Sequence, residues 1–114
     1  MRSIPLKTFD YALPNAAPIR MTYADLMRAI LVSAPPGQGV STADGMRGIE
    51  VGLKIGTAVT AGLQRVMLEE DDYAFLRGKL EAFRWSMFNE QIAEFIRDVR
   101  DAETVDINAV VENV

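Results

Sequence analysis

The 114-residue chain contains no cysteine and no histidine. The first absence removes disulfides, thiol nucleophiles and thiolate metal sites; the second removes imidazole bases and nitrogen-ligated zinc. Acid–base chemistry would fall to Asp, Glu, Lys or Tyr, and no spacing in the chain singles out a carboxylate pair for it. The sequence therefore reads as a non-enzymatic protein with no catalytic residue, no cofactor and no metal site. Long apolar runs are missing as well. Nothing approaches the roughly 20 residues that span a bilayer, and the opening MRSIPLKTFD lacks the apolar segment of a signal peptide. The expectation is a soluble intracellular protein without membrane association, folded as one domain.

Positive charge is scarce where nucleic acid would require it. The net charge is −4, and residues 66–114 hold twelve acidic but only five basic side chains. Residues 1–65 hold seven basic and four acidic, too weak an excess for a phosphate-binding footprint. Charge thus favours a protein partner and disfavours nucleic acid.

Proline and glycine organise what is present. Pro5, Pro14 and Pro18 forbid a continuous helix over residues 1–20, which read as an extended arm with short strands at Ser3–Leu6 and Ile19–Met21. The arm's Ile4, Leu6, Phe9, Tyr11 and Leu13 are apolar enough to lie against the rest of the domain or a partner. Residues 21–102 read as a helical domain. A first helix is capped by Thr22 with Asp25 three residues on, stapled by Met21 and Leu26, and stopped before Pro35-Pro36-Gly37. A second starts at Ser41, with Asp44 in the matching position. LQRVML, after Gly62, reads as a short strand, and EEDD at 69–72 suits the positive end of a third helix running to about Arg84. Those four carboxylates point in different directions along a helical turn, so they read as a cap and not as a cation site. A fourth helix, Asn89 to Asp101, presents Ile92, Phe95, Ile96 and Val99 as a stripe. Residues 103–114 form a tail that could be a helical turn, a strand added to a partner, or disordered. The expected fold is mainly α: about four helices with one short strand or hairpin.

Two groups of residues invite a binding role. At about 100° per residue, Gly45, Gly48, Gly52 and Gly56 share one face of the second helix. The spacing fits neither G-x-x-x-x-G-K-[ST] nor G-x-G-x-x-G, which excludes a phosphate loop. Helical glycines cost about 0.8–1 kcal/mol each relative to alanine, so a bare face implies close packing, either against the core or another chain. Trp85, Met87 and Phe88 form the second group. Core filling where helices three and four meet is one reading, and a partner hot spot the other. Gly48, Gly52, Trp85, Met87 and Phe88 are accordingly the candidate protein-binding residues. The rival is a helix-turn-helix-like DNA-binding regulator, in which Arg47 and Lys54 on the second helix would contact phosphates or bases. The long link from Ser33 to Val40 and the presence of Glu50 on that face speak against it.

MTYADLMRAILVSAPPGQGVSTADGMRGIEV (21–51) and VMLEEDDYAFLRGKLEAFRW (66–85) resemble small proteins of tailed bacteriophages and prophages. In that group a helix, a Pro/Gly break, an S/T-capped helix with a Met-Arg pair, and an L-[ED]-[ED]-D-D-Y-x-x-L segment follow in this order. The chain departs from the group at Gly45, Gly48 and Gly52, where longer or charged side chains are expected. The resemblance implies context only: a phage-encoded protein of the bacterial host cytoplasm or the virion. The leading functional reading is a non-enzymatic protein that self-associates and binds a phage or host protein, in virion assembly or in engaging a host factor.

Overall fold

A computed structural model describes residues 1–11 and 15–105. Leu13 and Pro14 of the arm, and the tail from residue 106 onward, lie outside the described residues. The chain runs β1 (Arg2–Pro5), β2 (Thr8–Tyr11), β3 (Ile19–Thr22), α1 (Tyr23–Leu31), α2 (Thr42–Thr60), β4 (Arg65–Leu68), α3 (Glu70–Ala82), α4 (Glu90–Arg100) and β5 (Glu103–Thr104).

This corrects the expected fold class. The protein is α+β: 51% helix and 18% strand among the described residues, with two antiparallel sheets where one strand or hairpin was expected. The physical reason lies in β1. Its four residues, RSIP, carry too little pattern to reveal a partner, yet they form the middle of a three-stranded sheet ordered β4-β1-β5. Ile4 pairs with Val66 and Arg2 with Leu68 on one side, while Arg2 and Ser3 meet Thr104 and Glu103 on the other. Strands 60 and 100 residues apart in sequence are joined by tertiary packing that no local window contains. β2 and β3 form a second, separate sheet, in register Phe9↔Met21 and Tyr11↔Ile19.

The helix boundaries follow from local chemistry. Thr22 and Ser41 side chains accept from the amides of Asp25 (3.0 Å) and Asp44 (3.1 Å), and Asn89 accepts from Ile92 (2.9 Å). Gly62 ends α2 at φ 72°, the left-handed region that glycine enters without strain. The Leu63 and Gly62 amides return to Ala58 and Val59 carbonyls, the 6→1 and 5→2 pair of a Schellman cap. At the end of α4 the buried Tyr73 hydroxyl donates toward the Val99 and Arg100 carbonyls, 2.6 and 2.9 Å away. It thereby satisfies acceptors that a helix terminus leaves open.

One core joins these elements. Ile4, Val66 and Leu68 from the larger sheet meet Tyr23, Met27, Ile30 and Leu31 of α1, Val51 and Ile55 of α2, Leu76 and Leu80 of α3, and Phe95 and Val99 of α4. Tyr23 stands edge-on to Phe95, ring centroids 4.9 Å apart, and donates its hydroxyl to Asp98 at 2.7 Å. Burial and the adjacent carboxylate both push the Tyr23 hydroxyl well above the usual tyrosine range.

Candidate protein-binding surface

α2 crosses α1 at its glycine face. An alanine methyl at Gly48 would overlap the Leu31 carbonyl oxygen and lie 3.0 Å from its carbon. Gly48 therefore lets α2 sit directly on the backbone at the end of α1. Gly52 is also buried, but beneath the Arg28 side chain, with Cγ 3.6 Å from where a methyl would stand. Gly56 borders the Arg28 guanidinium. The structure thus places Gly48 and Gly52 inside the domain and away from a docking face, and the stripe is used for intrachain packing.

Arg47 and Lys54 are also occupied within the chain. Both donate to Asp72 in the first turn of α3, Arg47 at 3.0 Å, and Arg47 lies over the Phe75 ring at 5.8 Å. Asp72 is buried. Burial pushes its carboxyl up, but the hydrogen bonds and charges of Lys54 and Arg47 outweigh this and hold it below the usual range. The remaining acidic residues of the 69–72 run diverge: Glu69 precedes the helix, and Glu70 pairs with Arg2 at 3.2 Å. Among the described residues no cluster of three or more acidic side chains has metal-binding geometry, and no helix is long and apolar enough to cross a membrane.

The aromatic group builds a groove. Phe83 ends α3 in extended conformation, so the chain to Asn89 runs across the helix ends, not along a helix. Trp85 is half-buried there, edge-on to Phe83 at 4.6 Å and to Phe95 at 6.4 Å. Opposite stands the β2–β3 hairpin with Phe9 and Met21. Between the two walls lies a cavity of about 360 Å³, lined by Phe9, Met21, Phe83, Trp85, Met87 and Ile92 among others. Among the described residues that line it, Arg84 is the only charged side chain. Ile19 and Met87, at its wall, are 50% and 43% exposed, and Phe88 beside Trp85 is 62% exposed. Trp85 thus turns one face to the core and one to the cavity, while Met87 and Phe88 are not core.

Sequence reasoning missed the hairpin's share of this groove, because Phe9 and Met21 are brought there by β2–β3 pairing. It also missed the outward side of α2, where Met46, Ile49 and Leu53 are 61%, 55% and 66% exposed. Their 46-49-53 spacing is the sequence signal of that side. No protein family, curated protein or solved structure matches the chain.

Proposed function

We propose that this protein works without catalysis, by seating an apolar segment of a partner protein in the groove between the β2–β3 hairpin and the Trp85 loop. The observation that supports this reading is the pairing of an apolar cavity with solvent-facing Ile19, Met87 and Phe88, side chains whose exposure is costly unless something covers them. The adjoining hairpin favours an extended occupant. Among the described residues no further strand pairs with β2 or β3, so the two-stranded sheet offers an edge for strand addition while the groove takes an apolar side chain. The phage resemblance of residues 21–51 and 66–85 supplies the context: a virion-assembly protein or one that engages a host factor. Direct DNA reading by α2 finds less support, since Arg47 and Lys54 both pair with Asp72 and the outward side of the helix also carries exposed Glu50, Met46, Ile49 and Leu53.

Trp85 is the only tryptophan of the chain and reports directly on the groove. Peptides selected against the protein from a random display library should share an apolar anchor and shift Trp85 emission to the blue. Met87→Glu should weaken them at least ten-fold. Selected peptides that leave Trp85 emission and Met87→Glu binding unchanged would refute the proposal.

A further inference from the structure

We infer that the peptide segment seated in the Trp85 groove carries a carboxylate beside its apolar anchor, and that Arg84 holds it. The inference rests on the groove reading above and specifies the chemistry of the occupant. Strands β2 and β3 supply only apolar and neutral groups to the groove. Side chains alternate along each strand, and the register sets Phe9 against Met21 and Tyr11 against Ile19 on one face. All four line the cavity. The opposite face of the hairpin takes the charges, Asp10 and Arg20, which pair with each other at 3.4 Å. The other wall differs: Arg84 and Ser86 flank Trp85 in the chain and line the cavity with it.

Arg84 makes no ion pair among the described residues. The fold keeps it so. Phe83 is extended, which takes Arg84 off the helical spacing from Glu81, and Glu81 instead holds Arg100 of α4 through both oxygens at 2.6 Å. Glu90 sits in the first turn of α4, where it complements the positive end of that helix. The groove is therefore apolar except for a guanidinium without a counterion and the hydroxyls of Tyr11 and Ser86, either of which can donate to an anion. A basic segment would meet no carboxylate among the described lining residues and one charge of its own sign. An acidic group beside the anchor meets a planar fork that binds both its oxygens. The net charge of −4 opposes this weakly, because charges beyond the roughly 8 Å screening length at physiological salt contribute little. The cavity, about 360 Å³, lies near the small end of ligand pockets, and exposed Phe88 stands outside its lining. The occupant thus extends past the cavity, as a chain segment does and a small free acid does not. Arg84 is exposed, so solvent limits the preference for the acid to about five-fold in affinity.

Peptides selected from the random display library should carry Asp or Glu at one fixed spacing from the apolar anchor. A selected peptide and its twin with that acid replaced by the amide, titrated calorimetrically against the wild-type protein and Arg84→Gln, form a double-mutant cycle. The wild-type protein should prefer the acid peptide about five-fold, and Arg84→Gln should bind the two alike. Raising the salt to about 0.5 M should shrink the preference without weakening the amide twin. The urea midpoint of Arg84→Gln should match the wild type, because Arg84 is exposed and unpaired in the described chain. Selection on Arg84→Glu should return Lys or Arg at the same spacing. Peptides that shift Trp85 emission and lose affinity in Met87→Glu, yet carry no acid at a fixed spacing or keep their acid preference in Arg84→Gln, would overturn this inference and leave the groove standing. Peptides that leave Trp85 emission unmoved would overturn both.

Discussion

Replacing Gly48 by alanine tests how α2 sits on α1. In an ordinary helix interior the change is favourable by about 0.8–1 kcal/mol, because alanine restricts the unfolded backbone and glycine does not. At residue 48 the new methyl would overlap the Leu31 carbonyl oxygen, lie 3.0 Å from the Leu31 carbon and 3.3 Å from a Val32 methyl. The first two are main-chain atoms near the end of α1 and cannot rotate away, so the helices must part by several tenths of an ångström. Overpacking of that kind costs about 1–3 kcal/mol, more than the helical gain, and loosens the contacts of Val51 and Ile55 with α1 as well. The net expectation is a loss of about 1–2 kcal/mol. Gly52→Ala is the internal control. Its methyl meets only Arg28 Cγ and Cδ at 3.6 and 3.8 Å, ordinary contact with a side chain that can shift. It should therefore gain about 0.5–1 kcal/mol. Urea denaturation at one fixed protein concentration, followed by far-ultraviolet circular dichroism, reads both as shifts of the midpoint in opposite directions. If Gly48→Ala stabilises as much as Gly52→Ala, α2 does not rest on the Leu31 backbone and the account of the glycine stripe is wrong.

Other substitutions probe separate parts of the fold. Tyr73→Phe leaves the Val99 and Arg100 carbonyls without the hydroxyl and should cost about 1–2 kcal/mol, with faster amide exchange at the end of α4 as the more specific readout. Thr22→Ala removes the cap on the Asp25 amide and should lower stability by about 1 kcal/mol, measured by the same urea midpoints. Asp72 predicts an acid limb. Its folded pKa lies below the unfolded value, near 3.9, so its contribution is complete above that value and is lost as pH falls through the folded one. Asp72→Asn should flatten the stability profile below about pH 4, and an unchanged acid limb would show that the Arg47–Asp72–Lys54 cluster contributes nothing. Tyr23 works in the opposite direction. Its folded pKa is raised, so stability is intact below about pH 10 and falls as the pH rises beyond the unfolded value, a fall that Tyr23→Phe should reduce in an alkaline titration.

Local chemistry was legible in the sequence, and the helices show how far it reaches. Thr22 with Asp25, Ser41 with Asp44, and the break at Pro35-Pro36-Gly37 each act within a few residues, so the starts of α1 and α2 could be read directly. The acidic 69–72 run at the head of α3 and the strand within LQRVML were legible for the same reason. The absence of cysteine and histidine, and the charge imbalance between the halves, were likewise properties of the sequence alone.

Tertiary structure decided whatever depends on residues far apart in the chain. The α+β class follows from β1 pairing with β4 and β5, contacts whose free energy comes from burying Ile4, Val66 and Leu68 together. The roles of the glycines were decided the same way: a helical wheel shows that Gly48 and Gly52 share a face, but only the position of α1 puts a carbonyl over one and a side chain over the other. Arg47 and Lys54 looked available until Asp72, 25 and 18 residues further along, came within reach. Trp85 and Met87 were visible as an apolar cluster, yet a groove needs two walls. The second is the β2–β3 hairpin, more than 60 residues earlier in the chain, so chain folding and not composition turned the cluster into one wall of a groove.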